Sequence, residues 1–203
     1  LNQDGFRVVA VASKQFPKSD KDYTAQDEQK LILVGYTAFL DPPKDSAVAA
    51  IGVLQTHGVQ IKILTGDNEL VTRKICYKVG LNAEQAILGA DLDQLSDSEF
   101  CQAVQYYTIF CKLTPLHKEK IVKGLQNQGE VVGFLGDGIN DALALKRADV
   151  GISVDSASDI ARASADLIML EKNLLVLEAG VLEGRRIFMN IRKYIRMVLS
   201  ANF

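Results

Sequence analysis

The residues with the most chemical content form one short run, Gly136-Asp137-Gly138-Ile139-Asn140-Asp141. Two carboxylates four positions apart, with an amide oxygen beside the second, offer hard oxygen donors of the kind Mg2+ selects. The apolar stretch Val131-Val132-Gly133-Phe134-Leu135 leads into this run, and a helical pattern from Ala142 to Ala148 leads out of it. A buried strand ending in glycine-flanked carboxylates presents charge at the carboxyl edge of a parallel sheet, where open α/β sheets bind their ligands. Gly136 and Gly138 permit a tight turn and close approach of a ligand to the backbone. The same residues also fit a plain Asp/Gly/Asn turn followed by a helix N-cap.

A second run repeats the layout. Val59 to Leu64 reads as a short buried strand, Thr65-Gly66-Asp67-Asn68 follows, and a helix is expected over 69–78, closed by Gly80. Thr65 and the backbone N–H groups at that helix start make an anion site; N-capping by Asp67 or Asn68 is the plainer role. A third group, His117, Lys118 and Lys120, falls in the first turns of a helix over 116–126 that follows Thr114-Pro115. A lysine there opposes the helix dipole and gains nothing locally. One of these lysines therefore faces a bound anion, or all of them form a solvated basic face. Arg7 lies in an expected strand, as an edge charge or an anion contact.

The elements that must position these groups alternate. Strands are expected over 6–13 and 31–40, around a polar segment at 14–30 that reads as an exposed loop or a linker boundary, and residues 1–5 read as a helix remnant and turn. Asp41-Pro42-Pro43-Lys44 is a stiff corner, either a turn or a hinge between two bodies. A helix over 45–56 follows, with Ala47, Ala50, Ile51 and Leu54 on one face and Gly58 just past its end. Short strands over 86–90, 109–113, 150–154 and 166–170 alternate with helices within 92–107, capped by Ser96 or Asp97, and over 156–163. Such alternation points to a doubly wound parallel sheet. Residues 173–203 read as one helix, ~45 Å long at ~1.5 Å per residue. It carries Arg185, Arg186, Arg192, Lys193 and Arg196 in its second half. It is an amphipathic packing helix, or a stalk whose basic face nears lipid phosphates.

Composition narrows the field. The 203 residues are 48% hydrophobic with a net charge of −2, which gives no reason to propose nucleic acid as a partner. Cys76, Cys101 and Cys111 are odd in number and far apart, which favours a reducing cytosol over a disulfide framework. No apolar run reaches the ~18 residues of a membrane span, and no signal peptide opens the chain. With no initiator Met and abrupt ends, the chain reads as a piece of something longer.

Asp41-Pro42-Pro43, Thr65-Gly66-Asp67, His117-Lys118 and Gly136-Asp137-Gly138-Ile139-Asn140-Asp141-Ala142 with Ala144-Leu145-Lys146 together resemble the P-type cation-transporting ATPases of the haloacid dehalogenase-like superfamily. The order and spacing are the family's and cover nearly the whole chain. Three further stretches look most like its bacterial magnesium-translocating branch: Gly35-Tyr36 with Phe39 to Lys44, Ile152 to Asp155, and Met169 to Lys172. The resemblance implies a Rossmann-like, haloacid dehalogenase-like doubly wound sheet with a long C-terminal helix. It implies ATP and Mg2+ as cofactors and an aspartyl phosphate as intermediate. By resemblance, Asp137 ligates Mg2+, with Asp141 beside it at the metal site and Asn140 at the phosphate's edge. Thr65 and Gly66 hydrogen-bond the transferred phosphoryl, and Asp67 contacts Mg2+-ATP or holds the loop. Lys118 is the cation beside the aspartyl phosphate, and Arg7 reaches ATP.

The resemblance also divides the chain. Residues 1–40 would end a nucleotide-binding domain, 41–172 would belong to the phosphorylation domain with Asp41 to Pro43 as hinge, and 173–203 would be a stalk leading to a transmembrane segment. The family's Asp-Lys-Thr-Gly-Thr segment, which carries the phosphorylated Asp on the central strand, is not in the chain. The sheet should therefore lack that strand, with a gap between the strands ending at Leu64 and Leu135. Lys44, Leu143 and Leu135 stand where many relatives have Arg, Pro and Thr. The expected role is part of a magnesium pump at the cytoplasmic face of the bacterial inner membrane, inactive alone, with the rest of the pump, the transported cation and the membrane as partners. A soluble phosphatase of the same superfamily is the alternative. A non-catalytic binding module would instead leave Asp137 and Thr65 facing no common pocket.

Overall fold

Short strands, each followed by a helix, run through most of the chain. The structure is a computed structural model and describes residues 6–16, 24–39, 45–171 and 173–201, with Arg7, Asp45 and Ala201 described at the backbone alone. The Asp41-Pro42-Pro43-Lys44 corner, the turn read at 1–5, part of the loop read at 14–30, and Lys172 lie outside the described residues. Strands β1 (Arg7–Ser13) and β2 (Ile32–Phe39) pair antiparallel, with an irregularity between Val11 and Ala12. This hairpin is a two-stranded sheet of its own and stands outside the parallel layers.

Helix α1 (Asp45–Thr56) buries Ala50, Ile51 and Leu54, the face its spacing predicts. Gly58 beyond it takes φ +73°, a conformation that costs glycine little. There follow β3 (Ile63–Leu64), α2 (Glu69–Lys78), β4 (Ala86–Leu88), α3 (Gly89–Leu92), α4 (Asp97–Tyr106), β5 (Ile109–Cys111) and α5 (Pro115–Asn127). Strands β3, β5 and β4 form one parallel sheet with β5 in the middle. All three β5 residues are fully buried, as a central strand covered on both faces must be. Ser96 caps α4, accepting from the Glu99 N–H. Lys62 donates to the carbonyls of Gln105 and Tyr107 at the other end of α4, at 3.0 and 2.7 Å. Burial lowers the pKa of its ammonium, while the helix C-terminus favours a cation there.

The second half holds β6 (Gly133–Leu135), a 3-10 turn (Ile139–Asp141), α6 (Ala142–Arg147), β7 (Val150–Val154), α7 (Asp159–Ser164) and β8 (Leu167–Met169). Strands β6, β7 and β8 make a second parallel sheet. The alternating pattern thus folds as read, but into two three-stranded sheets. β3 and β6 are edge strands that pair with β5 and β7 respectively and not with each other. The division falls where the central strand was expected to be missing. It also explains why both strands are shorter than their apolar runs: an edge strand gains ladder bonds from one side alone. Leu64 nevertheless packs against both the Phe110–Ile121 cluster and the Phe134–Leu145 cluster, so the two sheets share an apolar interior.

Helix α8 (Leu175–Ala201) packs its first turns on α1. Arg185 donates to the His57 carbonyl at 2.6 Å. From Leu182 to Ser200 every residue is exposed. No helix among the described residues is long and apolar enough to cross a membrane.

Cys76 and Cys111 lie in one apolar cluster with Ile51, Val79 and Leu81. Burial, with Cys111 adding to it, pushes the Cys76 thiol up to about 11; burial also raises Cys111. Only thiolates attack electrophiles, so the folded chain at pH 8 should label quickly at Cys101 alone, which is partly exposed. Mass spectrometry after brief alkylation checks this, and fast labelling of Cys76 or Cys111 would contradict it.

Candidate functional site

Loop 136–138 leaves β6 at its carboxyl end and is tied down by its neighbours. The Gly136 N–H donates to the Ile152 carbonyl of β7 at 3.0 Å, and the Ser158 N–H donates to the Asp137 carbonyl at 3.0 Å. The Ser153 hydroxyl donates to the Gly136 carbonyl at 2.9 Å. The Asp137 backbone is thus fixed, while its exposed carboxylate has no protein partner among the described residues.

Asp141 is the buried carboxylate of the site, 8% exposed. Lys118 Nζ donates to its Oδ1 at 2.7 Å, and the Gly138 N–H donates to its Oδ2 at 3.1 Å. Gly136 is required by this close approach: a Cβ there would lie 2.6 Å from Asp141 Cβ and 2.9 Å from its Cγ. Asn140 sits exposed in the 3-10 turn.

Lys118 is aimed by the start of α5. Thr114 caps that helix: its hydroxyl accepts from the His117 N–H at 3.3 Å, and its own N–H donates to His117 Nδ1 at 3.2 Å. Nδ1 is therefore the unprotonated nitrogen, and Nε2 donates to Asp93 Oδ1 at 2.9 Å. The imidazole rests on Gly89, where a Cβ would fall 2.7 Å from Nδ1. Lys120 points elsewhere, its ammonium 4.5 Å above the Phe100 ring. Of the two lysines in these turns, Lys118 is the one that reaches the acidic loop.

The third loop follows β3. The Thr65 N–H donates to Phe110, the Leu113 N–H donates to the Thr65 carbonyl, and the Lys112 N–H donates to the Asp67 carbonyl. The loop is thereby laced to the segment that becomes the cap of α5. The Thr65 hydroxyl donates to Asp67 Oδ2 at 3.2 Å and accepts from the Asp67 N–H at 3.0 Å. Capping of α2 falls to Asn68, whose Oδ1 accepts from the Leu70 N–H. Gly66 is exposed at the tip. Thr65, Gly66, Asp67, Lys118, Asp137, Asn140 and Asp141 therefore all follow the carboxyl ends of β3, β5 and β6, with the Lys118–Asp141 bond joining the two halves. Arg7 opens β1, opposite Phe39, in the separate hairpin.

The donor set is compatible with Mg2+. Among the described residues no three His, Cys, Asp or Glu side chains converge as a metal cage. Both Asp141 oxygens are engaged, which leaves Asp137 as the free carboxylate. One carboxylate completed by phosphate oxygens and water is the coordination Mg2+ commonly takes.

Sequence reading missed Ser153, Ser158 and Asp93. Ser153 had a signal: with Gly151 it occupies the inward positions of β7, where an apolar residue is the norm. Ser158 and Asp93 had none, since their partners are remote in sequence.

The haloacid dehalogenase-like hydrolase profile matches residues 7–149. The chain belongs to that family. It is 56% identical over all 203 residues to the P-type 1 magnesium-transporting ATPase of Escherichia coli K12 and, equally, to that of Salmonella typhimurium 14028s. It is 33% identical over 206 residues to calcium-transporting ATPase 1 of Bacillus cereus. It spans 22–23% of the length of these relatives. The likeness to P-type ATPases read from the motifs is thus borne out along the entire chain.

Proposed function

We propose that the chain is a catalytic segment of an ATP-driven P-type pump that moves Mg2+, working at the cytoplasmic face of the bacterial inner membrane. The observation that carries this reading is the buried Lys118–Asp141 bond, which ties a lysine at the start of α5 to the acidic loop that carries Asp137, after the carboxyl ends of strands in both sheets. Magnesium as cargo follows the names of the relatives at 56% identity. In this reading residues 1–40 end a nucleotide-binding domain, 41–172 belong to the phosphorylation domain with its hinge at 41–43, and 173–203 lead to the membrane. The phosphate-accepting Asp belongs to a strand outside these 203 residues that pairs between β3 and β6.

The residues then divide the work. Thr65 and Gly66 hydrogen-bond the incoming phosphoryl, and Asp67 keeps the Thr65 hydroxyl in place. Lys118 neutralises charge on the phosphorylated carboxylate. Asp141 aims Lys118 and braces the Gly136–Gly138 turn, and Asn140 borders the phosphate. Asp137 holds Mg2+, which when bound neutralises phosphate charge. Arg7 contacts the ATP phosphates from the hairpin. ATP, the transported cation, the rest of the pump and the lipid surface near α8 are the partners.

Exchanging this chain for the matching segment of the Escherichia coli relative tests the proposal. The chimera should form a hydroxylamine-labile phosphoenzyme from labelled ATP, and Asp137→Asn should reduce it on the order of a hundredfold. Undiminished phosphoenzyme in that variant would overturn the reading. The chain alone should turn over neither ATP nor p-nitrophenyl phosphate. Turnover of the latter, lost on Asp137→Asn, would instead indicate a soluble phosphatase.

A further inference from the structure

Among the described residues only three polar side chains are buried: Thr72, Asp141 and Ser153. Thr72 has a local role, donating to the Asn68 carbonyl one turn back in α2. The other two act on a single loop. Asp141 braces it from inside through the Gly138 N–H. Ser153, fully buried in β7, reaches it from the neighbouring strand.

Packing does not require a hydroxyl at position 153. Alanine would fill most of the same slot and leave no polar atom to satisfy, whereas a buried hydroxyl is tolerated only when bonded. The Ser153 hydroxyl bonds to the Gly136 carbonyl, which belongs to the peptide plane immediately before Asp137. The N–H of the same glycine is held by Ile152, and the peptide plane after Asp137 is held by the Ser158 N–H. Both planes flanking the Asp137 Cα are therefore clamped, by β7 on one side and the start of α7 on the other. The backbone dihedrals of Asp137 are set, and its side-chain torsions alone stay free.

We propose that Ser153 is a positioning residue for Asp137. Its hydroxyl fixes the Gly136–Asp137 peptide so that the Asp137 carboxylate meets a divalent cation without reordering the loop. This rests on the reading of Asp137 as the Mg2+-holding carboxylate. Groups that orient a metal ligand typically govern affinity by about ten- to a hundredfold when removed.

The test uses the 203-residue chain with Mn2+ as a paramagnetic stand-in for Mg2+, in the presence of inorganic phosphate. Broadening of the Gly136 and Gly138 amide NMR signals gives an apparent Kd. Ser153→Ala should raise that Kd about tenfold, and Ser153→Thr, which keeps the hydroxyl, should restore it to within about twofold. Hydrogen exchange gives a readout without metal. In Ser153→Ala the Gly136 and Ser158 amides should lose about tenfold in protection, while the Asp166 amide, bonded to Gly151 further along β7, keeps its own. An unchanged Kd in Ser153→Ala, a Thr variant as weak as the Ala variant, or equal loss of protection at Asp166 would each overturn the proposal. Asp137→Asn separates it from its foundation. If that variant binds Mn2+ as the native chain does, the role of Asp137 fails; if it loses binding while Ser153→Ala does not, the role of Ser153 alone fails.

Discussion

Lys118→Met should lower the unfolding free energy of the chain by roughly 3 kcal/mol at pH 7, because removing one partner of a buried pair strands the other charge. Both side chains are only 12% exposed, and their contact is 2.7 Å. Asp141 would keep the Gly138 N–H but lose its countercharge in a site that water scarcely reaches. Asp141→Asn added to Lys118→Met should give back about half the loss, since an amide oxygen still accepts from Gly138 and no longer carries charge. Urea unfolding of the native chain, both single variants and the double variant closes the cycle. A loss below about 0.5 kcal/mol for Lys118→Met would make this bond an ordinary surface ion pair. It would also remove the reason for treating Asp141 as the group that aims Lys118.

Gly151→Ala should be comparably damaging by a different route. A Cβ at Gly151 would lie 2.5 Å from the Leu145 carbonyl oxygen and 3.1 Å from its carbon. These are backbone atoms at the buried end of α6, so no side-chain rotation relieves the clash, and β7 and α6 must separate. Overpacking of this kind costs about 1–3 kcal/mol, and a backbone clash belongs at the upper end. The displacement would also strain the Gly151 N–H bond to Asp166 Oδ2 and the Asp166 N–H bond to the Gly151 carbonyl, at 2.7 and 2.8 Å. Gly52→Ala is the control. It lies within α1 with no atom within 4 Å of the added Cβ, and should stabilise by about 0.5–1 kcal/mol. Thermal unfolding of both variants decides the matter: equal midpoints would mean that α6 and β7 are not in tight contact.

How much of the site was legible depends on the reach of each signal. Helix limits were, because caps are local. Gly58 and Gly80 take positive φ just past the ends of α1 and α2, where sequence reading places a stop, and Gly129 does the same past α5. Ser96 does cap α4. The candidate set around Asp137 was also legible, since each loop follows a strand at its carboxyl end. Whether Asp67 or Asn68 caps α2 was not, because either side chain can do so, and the choice went to Asn68 once Asp67 bonded Thr65. Which lysine of α5 serves the acidic loop was left open by the helix pattern, though the resemblance named Lys118. It was settled by where Asp141 and the Phe100 ring lie, and nothing within α5 records either.

The sequence by itself determined the alternation of strands and helices, the order of the loops, the glycines that turn them, and the family to which they belong. The alternation, the loop order and the turns rest on periods of two and 3.6 residues and on capping within a turn, all of which act between near neighbours; the family rests on the likeness of the motifs. The unpaired edges at β3 and β6 fall where the missing central strand was expected. The tertiary structure alone decided that Asp141 is buried against Lys118 and that a serine in β7 grips the peptide before Asp137. Each joins residues brought together by packing, and no local preference of the chain encodes a partner 17 or more positions away.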